Sequence, residues 1–228
     1  MYISEIFYSI QGEGELTGIP SVFIRTSGCN LRCVWCDTKY ASWYPEGKQM
    51  TVGEILDEVN QHACDHVVLT GGEPMVARDI HELANRLKAQ SKHITIETAA
   101  TVMPQGIKCD LASLSPKLSN STPQGREREK HEKLRLQPEV IYEWINWYDY
   151  QLKFVVSSDR DVEEIKNILV STGEADFIER ERIMLMPEGT NVDTLRSRSK
   201  MVSNICKEYG WRYCQRLQID LYGNTRGT

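Results

Sequence analysis

Apolar and polar positions alternate along most of the chain in a way that predicts strand, helix, strand, helix. Val52 to Val59 carries apolar residues at helical spacing, His66 to Thr70 is a short run of buried-strand character, and Ile80 to Leu87 returns to helical spacing. The rhythm predicts further strands over His93 to Glu97, Ile107 to Leu111, Leu152 to Val156 and Ile183 to Met186, and helices over Val162 to Leu169 and Val192 to Tyr209. A last strand is expected from Leu217 to Leu221. Trp144 and Trp147 fall on an amphipathic helix and read as packing residues.

With Val22 to Thr26 placed first, six strands are candidates for a parallel set, too few for a closed eight-stranded barrel. The expected fold is therefore α/β, a partial and open βα barrel. In sheets of this kind functional residues gather beyond the carboxyl ends of the strands. One stretch breaks the rhythm: residues 119–137, Ser-Asn-Ser-Thr-Pro-Gln-Gly followed by a run of mixed charge from Arg126 to Lys133. It reads as an irregular charged insertion, a solvated loop or helix, within a single domain spanning 1–228.

Composition adds exclusions. The chain has 228 residues, 40% of them hydrophobic, and a formal charge of -5. That balance argues against a strongly basic surface for nucleic acid or an anionic membrane. No apolar run approaches the ~18 residues of a membrane span, and no basic residue precedes Arg25 to form a signal-peptide n-region. A cytoplasmic protein is expected. Seven cysteines are too few and too odd in number for a disulfide framework.

Three of those cysteines, Cys29, Cys33 and Cys36, form a C-x3-C-x2-C cluster just after the first parallel strand. Structural zinc sites close with four ligands, and iron–sulfur clusters also usually take four thiolates. Three thiolates on a [4Fe-4S] cluster leave one iron for a small molecule carrying adjacent amine and carboxylate groups, as S-adenosylmethionine does. Zinc completed by His62, His66 or Cys64 is the competing reading. One βα unit later comes Thr70-Gly-Gly-Glu-Pro74, where two glycines admit a ligand to the backbone and Glu73 offers acceptors to an ammonium.

The cysteine triad with Trp35, followed by Gly71-Gly72-Glu73, resembles the radical S-adenosylmethionine (radical SAM) superfamily. Glu5 to Gly14, Phe23-Ile-Arg25, Trp35-Cys-Asp-Thr38, Thr70 to Pro74, Ser115-Pro-Lys117 and Trp211 to Thr228 together resemble the 7-carboxy-7-deazaguanine synthase family from end to end. The resemblance implies a lyase of queuosine and deazapurine biosynthesis. It contracts 6-carboxy-5,6,7,8-tetrahydropterin to 7-carboxy-7-deazaguanine with loss of ammonia, using a [4Fe-4S] cluster, S-adenosylmethionine and Mg2+. A homodimer and an external electron donor such as a flavodoxin are also implied.

By that resemblance Cys29, Cys33 and Cys36 ligate the cluster and Thr38 the magnesium. Trp35, Cys36 and Asp37, Gly72 and Glu73, Ser115, Pro116 and Lys117, and Met186, Pro187, Glu188 and Gly189 contact the cofactor. Ile10, Gln11, Gly12, Arg25, Thr70 and Thr228 contact the substrate, and the segment ending at Thr228 is expected to close its pocket. Glu97, at the end of its strand, is a polar contact without a role, and no side chain is assigned as catalytic beyond the cluster and cofactor. Two other readings stay open: a glycyl-radical activating enzyme, whose substrate would be another chain, and a non-catalytic zinc-binding protein.

Overall fold

The computed structural model describes residues 1–173 and 178–228. Two strands open it, β1 (Tyr2–Ile10) and β2 (Pro20–Thr26), followed by a single helical turn, α1 (Lys39–Ser42), and the two-residue β3 (Lys48–Gln49). Then come α2 (Val52–Val59), β4 (His66–Gly71), α3 (Ile80–Ala89), β5 (His93–Thr98) and β6 (Leu111–Leu114). The second half adds α4 (Arg128–Arg135), α5 (Pro138–Trp147), β7 (Tyr150–Val156), α6 (Asp161–Ser171), β8 (Ile183–Pro187), α7 (Val192–Tyr209), β9 (Arg212–Tyr213) and α8 (Leu217–Tyr222).

The strands form one sheet in the order β3-β1-β2-β4-β5-β6-β7-β8-β9. From β2 onward every neighbouring pair is parallel, while β1 runs antiparallel to both β2 and β3. The two edge strands do not pair, so the barrel is open, as the strand count predicts.

Side-chain alternation divides the parallel strands into two faces. Val22 and Ile24, Val67 and Leu69, Ile94 and Ile96, Leu152 and Phe154, and Ile183 and Leu185 join the main hydrophobic core with the apolar residues of α2, α3, α5, α6 and α7. The opposite parity carries Arg25, Thr70, Glu97, Ser113 and Lys153, which line a cavity instead. Local signals fix the covering helices: Thr51 and Glu54 form a capping box at the start of α2, and Asn191 caps α7 through the Thr194 N–H. Among the described residues no helix is long and apolar enough to cross a membrane.

Three elements depart from the sequence expectation. The strand expected over Ile107 to Leu111 begins only at Leu111, because Asp110 takes a different job, accepting from the Ile94 N–H and pairing with Lys88. Leu217 to Leu221 is helix rather than strand: of the alternating apolar residues only Ile219 is buried while Leu221 is exposed, and β9 already holds the sheet edge. Strand β1, where sequence reading found only a motif, buries a single residue, Ile3, and so carries no hydrophobic period to detect. The charged insertion contains the short helix α4.

Candidate active site

The cavity lies at the carboxyl ends of the parallel strands, where polar side chains of the inner face meet the loops that follow each strand. Ile10, Gln11 and Gly12 enter from the end of β1, and Arg25 and Thr70 from neighbouring positions on β2 and β4, where they are register partners. Arg25 donates through Nε to Glu5 Oε1 at 2.7 Å. Neither of its terminal nitrogens is hydrogen-bonded among the described residues, which leaves a two-nitrogen edge suited to a carboxylate. Thr70 Oγ1 donates to Glu97 Oε2 at 2.9 Å and Gln11 Nε2 to Glu97 Oε1 at 3.2 Å, so Glu97 orients both neighbours.

Cys29, Cys33 and Cys36 line the same cavity, in the loop between β2 and α1. Burial pushes the Cys29 thiol up to about 12 and the Cys33 thiol up to about 11. Both therefore hold their protons until a cation displaces them, the usual coupling of metal binding to proton release. Polar groups already sit against two of the sulfurs: the Leu31 N–H donates to Cys29 Sγ at 3.3 Å, and Ser42 Oγ, which donates to Thr38 O, lies 3.1 Å from Cys36 Sγ. Such contacts support thiolate ligands of an iron–sulfur cluster.

Among the described residues no three His, Cys, Asp or Glu side chains group closely enough for a single metal ion. A cluster, whose thiolates each sit on a different iron, suits the donor set better. The zinc alternative also lacks its fourth ligand nearby. His66 starts β4, five residues before Gly71, the register partner of Thr26 at the cluster end, a separation of about 17 Å at strand rise. His62 stacks on Tyr8 and His66 on His93.

The Gly71-Gly72 turn is demanded by the protein's own backbone. Gly71 has a positive φ of 150°, and a Cβ there would meet Thr26 O at 2.4 Å; one on Gly72 would meet Gly28 O at 2.2 Å. Both glycines also line the cavity, whereas Glu73 does not. Its carboxylate is buried and accepts from Thr98 Oγ1, Ala99 N and Met75 N, at 2.7, 2.8 and 3.1 Å. Burial raises its pKa despite those bonds. Glu73 thus holds the glycine turn against β5, its acceptors taken up by the protein's own donors where the sequence offers them to an ammonium.

Trp35, Asp37, Thr38, Ser115 and Lys117 line the cavity, as do Met186, Pro187, Glu188 and Gly189; Pro116 is buried beside them without reaching it. Lys117 Nζ is folded back onto Ser115, 2.6 Å from its carbonyl and 2.7 Å from its hydroxyl. Among the described residues the polar partner of Thr38 Oγ1 is Cys36 Sγ at 3.7 Å, which leaves its oxygen available to a hard ion.

Sequence reading missed a charged lattice at the cavity wall. Glu13 accepts from Lys153 Nζ at 3.1 Å, Arg216 Nε at 3.0 Å and Gln218 Nε2 at 2.8 Å. Arg216 also donates to Gly189 O and pairs with Asp37, joining four separate segments. Burial alone would raise the Glu13 pKa, but Lys153 and Arg216 outweigh it and hold the carboxyl well below its usual range. Lys153 shows the converse: burial acts to neutralise it, and Glu13 and Glu97 keep it charged. Gln218 lines the cavity, and its Oε1 is buried without a partner among the described residues. A lysine inside the apolar run of β7 was the one available signal, the same signal that singles out Arg25 in β2.

Residues 223–228 run beside the cavity, and Thr228 reaches its lining. Arg226 holds that segment down: its guanidinium lies 4.2 Å from the Tyr40 ring centroid and pairs with Glu5 and Glu46 at 3.4 and 3.0 Å.

Comparison with known proteins gives consistent results. The profile of the Radical SAM superfamily matches residues 23–116. A 7-carboxy-7-deazaguanine synthase from Rhodopirellula baltica is 45% identical over 233 aligned residues, covering 100% of this chain and 89% of the relative. One from Halobacterium salinarum is 43% identical, covering 99% and 92%. In fold, the chain is similar to the crystal structure of QueE from Escherichia coli, with a TM-score of 0.69 and 24% identity over 95% of this chain and 94% of that one.

Proposed function

The chain belongs to the 7-carboxy-7-deazaguanine synthase family of the radical SAM superfamily, and we propose that its cavity carries out that family's reaction. The substrate is 6-carboxy-5,6,7,8-tetrahydropterin, the products are 7-carboxy-7-deazaguanine and ammonia, and the product feeds queuosine and related deazapurines. The observation that carries this reading is the meeting, in one cavity, of three thiols with an arginine edge and a polar strand face.

When bound, the [4Fe-4S] cluster and S-adenosylmethionine supply the radical that begins ring contraction by taking hydrogen from C6 of the pterin. The protein's own residues bind, orient and shield. Cys29, Cys33 and Cys36 would hold the cluster, three protein thiolates being one fewer than a [4Fe-4S] cluster usually takes. Trp35, Cys36 and Asp37 would bind the adenine end of S-adenosylmethionine and Gly72 its amine end, with Glu73 bracing the glycine turn, and Ser115 to Lys117 and Met186 to Gly189 would complete the wall. Thr38 would offer one oxygen to Mg2+, an ion that takes most of its ligands from substrate and water.

Ile10, Gln11, Gly12, Thr70 and Thr228 cradle the pterin while Arg25 takes its carboxylate. The unpartnered Gln218 Oε1 is suited to a donor N–H on the same ring. Residues 1–228 work as one radical SAM domain. The proposal extends, on the family resemblance, to a homodimer, an external donor such as a flavodoxin and a cytoplasmic setting.

The test is anaerobic turnover. Protein reconstituted with iron and sulfide, given a reductant, S-adenosylmethionine, Mg2+ and 6-carboxytetrahydropterin, should yield 7-carboxy-7-deazaguanine. A loaded cluster with cofactor cleavage but no deazaguanine would overturn the assignment.

A further inference from the structure

The charged insertion is the stretch to which the family resemblance assigns nothing, and it packs directly on the cysteine loop. The Val34 N–H donates to Ser121 O at 2.8 Å and the Arg32 N–H donates to His131 Nδ1 at 3.1 Å. These two amides flank Cys33. The Trp35 indole N–H, beside Cys36, donates to Asn120 Oδ1 at 3.2 Å. Three donors within four residues of the loop are thus held by partners some 85 to 99 positions later.

The helix that delivers the histidine has no apolar face. In α4 the only buried residue is His131, 1% exposed, among charged neighbours. Apolar packing within α4 therefore contributes little to its docking, and the imidazole is the one side chain of the helix that is fully buried there. With Nδ1 accepting from Arg32, Nε2 carries the hydrogen and donates to Ser121 Oγ at 2.9 Å, and that hydroxyl donates on to Leu118 O at 2.6 Å. Every member of the chain has one consistent direction. Burial lowers the His131 pKa, which favours the neutral ring that this pattern needs. At the far end of the helix Arg135 Nη1 donates to Lys117 O at 2.9 Å and to Glu164 Oε1 at 2.7 Å, bolting it to the barrel.

We propose that residues 119–137 form a buttress that fixes the spacing of Cys29, Cys33 and Cys36, with His131 as its positioning residue. The loop between β2 and α1 has no regular structure; its own bonds, such as Cys36 N–H to Cys33 O at 3.3 Å and Arg32 Nη1 to Cys29 O at 2.7 Å, are few, and the insertion adds three more from outside. The proposal rests on the reading of these cysteines as cluster ligands. Groups that orient metal ligands from behind are worth about 10- to 100-fold in metal retention.

The experiment compares the parent with His131→Phe, which keeps a ring but removes the acceptor, and His131→Asn, whose Oδ1 stands one bond from Cγ as Nδ1 does. After anaerobic reconstitution, iron and sulfide content and the rate of bleaching of the visible cluster band under an iron chelator are measured. His131→Phe should lose its cluster about 10-fold faster or more, and His131→Asn should return the rate toward the parent's. Equal rates in all three, or His131→Asn as fast as His131→Phe, would overturn the buttress. Should His131→Phe fail to melt cooperatively, Ser121→Ala takes its place: it removes the relay hydroxyl, keeps the Val34 contact to the backbone, and must also speed the loss. Hydrogen exchange in metal-free protein separates the two ideas. The Arg32 amide should be protected in the parent and His131→Asn and open in His131→Phe whether or not iron loads, whereas a parent that takes up no cluster counts against the cluster reading alone.

Discussion

Lys153 Nζ donates to Glu13 Oε2 across 3.1 Å, tying the middle of β7 to the loop that follows β1. Lys153 is only 3% exposed and Glu13 is largely buried at the cavity wall, and Glu97 and Arg216 complete an alternation of charge around them. A buried pair of this kind is weak as a net source of stability but strongly destabilising when one partner is removed.

Lys153→Met should therefore lower the unfolding free energy of the metal-free protein by about 3 to 5 kcal/mol in urea denaturation. A cost below ~1 kcal/mol, the range of an exposed pair, would mean the lattice is solvated. The pH dependence has a definite sign. The Glu13 pKa is depressed on folding, so its contribution is fully present above the ordinary 4.5 and fades as pH falls from there toward the depressed folded value. The difference between parent and variant should stay flat from neutral pH down to that point and shrink below it.

Each of Cys29→Ala, Cys33→Ala and Cys36→Ala should abolish iron uptake and cofactor cleavage. Cys64, Cys109, Cys206 and Cys214 lie elsewhere, Cys64 against Pro20 O and Cys109 near Ile94 O. Replacing them singly should leave the iron and sulfide content of the reconstituted protein unchanged. Loss of the cluster from Cys214→Ala, which stands nearest the cavity beside Gly14, would reassign the ligands.

Which of these features could be read in the sequence follows from the range of the interactions. Cys29, Cys33 and Cys36 fall within eight residues and Gly71-Gly72-Glu73 within three, so their chemistry is written locally, and the parallel strands carry their own apolar period. Glu13, Lys153 and Arg216 come together from positions 140 and 203 residues apart, and no local pattern announces such a meeting. Glu73 shows the reverse: its position in the motif was plain, but the Thr98, Ala99 and Met75 donors that occupy it become visible only when β5 lies alongside. Leu217 to Leu221 carries a strand-like alternation, but only Ile219 of it is buried, and the segment forms a helix beyond the sheet edge.

Thr38→Ala should blunt the stimulation of turnover by magnesium. Thr38 Oγ1 lines the cavity with no strong partner, and a single neutral hydroxyl holds a hard ion only when substrate oxygens join it. The measurement is turnover against free Mg2+ for both proteins, with cluster content matched. Activity that is the same after exhaustive chelation as with added Mg2+ would remove the ion from the site.

The segment beside the cavity gives the last prediction. Thr228 reaches the lining, yet nothing in residues 223–228 is deeply buried, so apolar packing does not hold the segment there. What holds it is Arg226, which bridges Glu5 and Glu46 and lies over Tyr40. Glu5 in turn accepts from Arg25, so one carboxylate serves both the closing segment and the arginine edge facing the substrate. Because Arg226 is partly exposed, its ion pairs are screened by salt. Arg226→Gln should accordingly raise KM for the pterin, leave cofactor cleavage without substrate and the cluster spectrum unchanged, and make KM less sensitive to ionic strength than it is in the parent. Deleting residues 224–228 should raise KM at least as far. Native kinetics in both variants would mean that the segment only packs against the barrel, while a matching loss of cluster would mean that it supports the fold rather than the substrate.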